Sequence, residues 1–173
     1  RLYGLSHAGA AAREHDLSRP LRLHAATVPG DWIDYNGHMN ESRYLQVFSD
    51  ASDALLRLIG VDEDYLARGF SWFTVETHIR HLGEGHLGDR LEVATQVLAG
   101  DAKRLHIFQT IERPADGAVL ATGEQLLLHV DARAGRVCPA EEPVAGRLAR
   151  LEEAQSTLPG PEGAGRRVGE RRG

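Results

Sequence analysis

One change of hydrophobic period constrains this chain more than any other feature. Tyr44, Val47, Phe48, Ala51, Ala54, Leu55, Leu58 and Ile59 recur at three- and four-residue steps, which predicts an amphipathic helix over 41–59. Asn40 or Ser42 can cap that helix and Gly60 can stop it, and a short second helix is expected around Asp62–Arg68. Past Gly69 the period drops to two. Phe73, Val75, Thr77 and Ile79 fall on one strand face, and Trp72, Thr74, Glu76, His78 and Arg80 on the other. Three further strands are expected, through Leu91–Val97, Leu105–Ile111 and Ala118–Val130. Turn chemistry separates them at Gly83–Asp89, Ala99–Asp101 and Pro114–Gly117. An earlier strand starts at Leu21 and is broken by Pro29-Gly30-Asp31. The expected class is α+β, an antiparallel sheet curling around one long central helix. One helix cannot cover both faces of such a sheet, so a homodimer with a continuous sheet, or a tetramer of such dimers, is expected.

The 173 residues divide in this reading into a weakly ordered lead-in (1–20), a main domain (21–138), a C-terminal helix (139–155) and a flexible tail rich in Gly, Pro and Arg (156–173). The start, Arg1-Leu2-Tyr3-Gly4, has no initiator Met and no signal-peptide core, so the chain reads as a trimmed piece or one part of a longer polypeptide.

Composition removes several function classes. Lys+Arg 20 against Asp+Glu 25 gives a formal charge of −5, leaving no basic surplus to displace counterions from nucleic acid. No apolar run approaches the roughly 20 residues of a membrane helix. A single cysteine, Cys138, allows neither an internal disulfide nor a cysteine metal cluster, and a cytoplasmic location is expected.

Chemistry concentrates in one stretch. Of ten aromatic residues, eight lie between Trp32 and Phe73, surrounding Trp32-Ile33-Asp34-Tyr35-Asn36-Gly37-His38-Met39-Asn40. This can be a loop held by Asx turns and a Gly bend, with the aromatics packing the helix. The local sequence also permits, without requiring it, an acid placed before a helix N-terminus, as acyl transfer needs: a carboxylate to attack or to activate water, and N–H groups facing a developing oxyanion. Asp34 is then the carboxylate, and the N–H groups near Asn40 and Glu41 are the donors. Asn36 and Gly37 shape the turn; His38 pins the loop or meets the substrate.

The element order together with Asp34-Tyr35-Asn36-Gly37-His38-Met39-Asn40 resembles the hotdog-fold acyl-CoA thioesterases related to 4-hydroxybenzoyl-CoA thioesterase. Their loop has the form Asp-x-x-Gly-x-(Val/Met), matched by Asp34, Gly37 and Met39. The runs Asp34–Ser42, Thr74–Leu82 and Lys103–His106, with the tail Pro161–Arg166, are similar to betainyl-CoA thioesterases, which occur alone or fused behind L-carnitine 3-dehydrogenase. The resemblance implies an acyl-CoA substrate, betainyl-CoA above all, no cofactor, and Asp34 as nucleophile or as base for water. A trimethylammonium group cannot donate a hydrogen bond, so aromatic faces and a carboxylate should hold it. The available groups are Trp32, Tyr35, Tyr44, Trp72 and Phe73, with Glu76 as the anion. The alternatives are a thioesterase for another acyl-CoA, a hotdog hydratase, or a binding module without turnover. The hydratases resemble Asp-x-Asn-Pro-x-His, from which Asp34-Tyr35-Asn36-Gly37-His38 departs.

Two other patterns carry less. Gly83-x-Gly85-x-x-Gly88 precedes a strand rather than a helix, so it reads as a turn and not as a dinucleotide site. His78, His81 and His86 invite a metal reading, but His78 and His81 point to opposite strand faces and cannot share an ion without a bulge, so no metal is expected.

Overall fold

The computed structural model describes residues 15–171; most of the expected lead-in over 1–20 lies outside them. Helix α1 spans Glu41–Leu58. The Asn40 carboxamide oxygen accepts from the Ser42 backbone N–H at 3.0 Å and starts the helix. Its end falls at Gly60, whose φ of 103° only glycine adopts readily. Tyr44, Val47, Phe48, Ala51, Ser52 and Leu55 form its buried face. Helix α2, Glu63–Ala67, is capped by Asp62.

The strands are β1 (Leu21–Thr27), β2 (Phe70–His81), β3 (Arg90–Gly100), β4 (Arg104–Arg113), β5 (Ala118–Asp131) and the short β6 (Arg136–Val137). Among the described residues they make one antiparallel sheet in the order β1-β3-β4-β5-β2, with β6 beside β5. The sheet wraps around α1, which is the hotdog arrangement. Its curl brings β5 against the helix so closely that a Cβ on Gly123 would lie 2.9 Å from the Phe48 ring.

Two apolar clusters fill the wrap. Phe48, Val47, Ala51, Met39 and Tyr44 pack with Leu91, Val93, Ile111 and Leu120 at the N-terminal end of α1. Leu55, Ile59, Tyr65 and Trp72 pack with Val97, Leu105, Ile107 and Leu127 at the other end. Helix α3, Val144–Gln155, closes that second end with Val144, Leu148 and Leu151. The Gln155 side chain ties α3 to β3 by accepting from Val97 N at 2.7 Å. The segment after α3 runs back over the sheet: Gln96 Nε2 donates to Pro159 O (3.1 Å), and Gly165 N donates to Glu124 (2.6 Å).

Strand β2 corrects the alternation read from its sequence. Its register against β5 shifts between Thr74 and Glu76, so one extra residue is inserted and the faces exchange. Trp72 is consequently 5% exposed in the core, while Phe73 and Val75 are 49% and 54% exposed. Ile79, on the opposite face in an unbroken strand, also packs inward. Among the described residues no helix is long and apolar enough to cross a membrane.

Candidate active site

The chain between β1 and α1 makes a short 3-10 turn at Gly30–Trp32 and then a tight loop. Ile33 and Met39 bridge across the base of that loop. Inside it, Asp34 N donates to His38 O (2.9 Å) and Gly37 N donates to Asp34 O (3.0 Å). Gly37 has φ 79°, where a side chain would strain the turn. The Asp34 carboxylate closes an Asx turn: Oδ1 accepts from Asn36 N at 2.9 Å and, more weakly, from His38 N at 3.4 Å. One carboxylate oxygen is thus held by the backbone. Oδ2 has no hydrogen bond among the described residues.

The helix entrance differs in one respect from the sequence expectation. Asn40 N–H donates to Trp32 O at 2.8 Å, and Ser42 N–H is taken by the Asn40 side chain. Neither can serve as an oxyanion donor. Glu41 N–H, at the first helical position, has no acceptor among the described residues.

A second loop, between β2 and β3, completes the site. Met39 N donates to Gly85 O at 2.8 Å, and a Cβ on Gly85 would stand 3.1 Å from Met39 Sδ. The Tyr44 hydroxyl accepts from Gly85 N (3.0 Å) and donates to Gly83 O (3.4 Å). Burial pushes the Tyr44 phenol above its ordinary value, which keeps this donor protonated. Arg113 Nη1 donates to Glu84 O (3.1 Å) and to the Asp89 carboxylate (3.0 Å). His38 Nε2 lies 3.0 Å from Glu84 Oε2. Gly85, Glu84, His86 and Arg113 were not expected here. Their sequence signal is a glycine-rich turn long enough to fold back over the helix entrance, read only as a turn because nothing in the sequence pairs it with Met39.

The expected aromatic cage does not converge within one chain. Trp32 is half-buried with the Arg43 guanidinium 5.8 Å above its ring, and Tyr35 is 97% exposed on the Asp34 loop. Tyr44 is a buried strut between the two glycines. Trp72 is in the far cluster, edge-on to His129 at 5.1 Å. Phe73 lies on the exposed edge of β2. Glu76 lines a cavity of about 490 Å³ on the outside of the sheet, with His78, Arg104, His106 and Arg166. Asp34, Asn36 and His38 are joined by hydrogen bonds within one loop that turns at Gly37, and Asn40 ties that loop to Trp32 and to the start of α1, where Glu41 is the first helical residue.

A carboxylate backed by its own loop at a helix N-terminus, on a hotdog sheet, defines a class. Residues 28–148 match the thioesterase-like superfamily, and the chain belongs to it. At finer range it is similar to betainyl-CoA thioesterase of Pseudomonas aeruginosa, 45% identical over 88% of this chain and 97% of that one. It is also 51% identical, over 95% of its length, to L-carnitine dehydrogenase/betainyl-CoA thioesterase of Rhizobium meliloti. This chain spans 33% of that bifunctional relative. Among solved structures, a Staphylococcus aureus protein in complex with CoA superposes with TM-score 0.80 at 27% identity, covering 88% of this chain and 98% of that one. The 1,4-dihydroxy-2-naphthoyl-CoA thioesterase of Synechocystis shares the fold, with TM-score 0.66 at 19% identity over 74% of this chain and 95% of that one.

Proposed function

We propose that this chain hydrolyses betainyl-CoA to glycine betaine and CoA. The observation that carries the reading is the Asp34 carboxylate, held through Oδ1 by its own loop and with Oδ2 free of hydrogen bonds among the described residues, in the loop that leads directly into the N-terminus of α1. Its similarity to betainyl-CoA thioesterases supplies the acyl group. In this mechanism Asp34 attacks the thioester carbonyl, or takes the proton of a water that does. The carbonyl oxygen gains charge facing Glu41 N–H, and CoA leaves as a thiolate, needing little acid help because its thiol pKa is near ~8.5. Water supplies the second carboxylate oxygen of the product. No cofactor enters the scheme.

Trp32 and Tyr35 are the faces this reading assigns to the trimethylammonium group, with the remainder of the pocket supplied by a second copy across the β2 edge. The assembly is a homodimer working in the cytoplasm, and a carnitine dehydrogenase is its partner in sequence or in metabolism. Thiol release from betainyl-CoA, acetyl-CoA and benzoyl-CoA tests the reading. Betainyl-CoA should be preferred, and Asp34→Asn should lose about a hundredfold or more of the turnover. Preference for another acyl group would overturn the substrate, and an unaffected Asp34→Asn would overturn the mechanism.

A further inference from the structure

His38 on the Asp34 loop meets Glu84 and His86 on the β2–β3 loop. One ligand-capable atom from each of the three side chains lies within 4.8 Å of the other two. The imidazoles of His38 and His86 stand edge to face at 5.3 Å, and His38 Nε2 is 3.0 Å from the Glu84 carboxylate. These loops are held firmly. Met39 N bonds Gly85 O, Tyr44 bonds Gly85 N, and Arg113 spans Glu84 O and Asp89. Asp89 also accepts from the His86 backbone N–H at 2.9 Å, which holds that residue's backbone in place.

We propose that His38, Glu84 and His86 form a binding site for a borderline divalent transition ion such as Zn²⁺, Co²⁺ or Ni²⁺. Two imidazoles and one carboxylate suit these ions and not Mg²⁺ or Ca²⁺, which take mostly oxygen ligands. Ligand atoms around a tetrahedral ion stand roughly 3.4 Å apart, given metal–ligand distances of about 2.1 Å. Closing the site therefore asks for side-chain shifts of about an ångström, within reach of Glu84 and His86, which are exposed. Three protein ligands leave a position for water. A bound ion would clamp the loop that carries Asp34 to the β2–β3 loop. The inference does not depend on the hydrolysis reading, and its test does not use activity.

The test is a titration of chelator-treated protein with Co²⁺ followed by visible absorption, and with Zn²⁺ followed by calorimetry. One equivalent per chain is expected, with a rise in Tm. Glu84→Gln and His86→Ala should each weaken binding by at least about tenfold. In the wild type, histidine ring resonances read by NMR should move for His38 and His86 and stay fixed for His78 and His106. Lack of saturable binding overturns the proposal. So does binding that survives both substitutions, or movement confined to His78 and His106, since either places the ion elsewhere.

Discussion

Asn40 carries two backbone duties at once. Its own N–H holds the Trp32 carbonyl, and its side chain holds Ser42 N–H. It joins the loop to the helix and leaves no backbone N–H of its own for a substrate. Asn40→Ala should cost about 1 kcal/mol of stability in a urea titration, the usual worth of a helix cap, while Asn40→Asp keeps it. At the acyl end, the contrast is between two tryptophans. Trp32 flanks Asp34, whereas Trp72 is buried in the far cluster. Trp32→Ala should raise KM for betainyl-CoA by about tenfold, given ~1–2 kcal/mol for a desolvated cation–π contact, and leave acetyl-CoA little changed. Trp72→Phe should leave the ratio of the two substrates where it is; a shift there would place Trp72 in the pocket after all.

At the scale of elements, the helix and sheet meet most tightly at Gly123 of β5 and Phe48 of α1. Phe48 is fully buried, so its ring has nowhere to retreat from an added methyl. Gly123→Ala should destabilise by about 1–3 kcal/mol in equilibrium unfolding, the usual cost of overpacking, and a neutral result would show that β5 can slide outward. This contact was invisible in the sequence, because Gly123 sits between Thr122 and Glu124 in mid-strand, where no local pattern pairs it with Phe48. The elements themselves were largely legible. The three- and four-residue spacing from Tyr44 to Ile59 gave α1 to within a residue, and alternation with turn residues placed β2 to β5. What alternation cannot carry is a single inserted residue. The bulge between Thr74 and Glu76 inverted the faces of β2, and with them the environments expected for Trp72 and Phe73. At the site, Asp34, Gly37 and Asn40 were legible because they are local. Glu84 and His86 reach it through a long-range loop contact that no local pattern encodes.

Across the whole molecule, a buried polar network lies at the end opposite Asp34, and it links stability to pH. His129 is fully buried beneath Trp72 and Phe70. Tyr65 Oη accepts from Glu141 N at 3.2 Å and lies 2.6 Å from His129 Nε2, so the hydroxyl donates to that nitrogen. His129 Nδ1–H donates to Cys138 O at 2.8 Å. Both ring nitrogens are satisfied in the neutral form, and a second proton would face the tyrosine proton. Burial pushes the His129 pKa below its ordinary value, more than the Cys138 carbonyl and the Glu141 charge raise it. The unfolded chain therefore binds a proton near pH ~6.5 that the folded chain refuses until lower pH. Stability contributed here is complete above the unfolded value and falls as pH drops from ~6.5 toward the folded value. The urea midpoint of the wild type, minus that of His129→Gln, should be flat above that value and shrink below it. A difference that stays constant through the window would mean that His129 titrates alike in both states, and that the network holds the tyrosine and the β5 end together without resisting protonation.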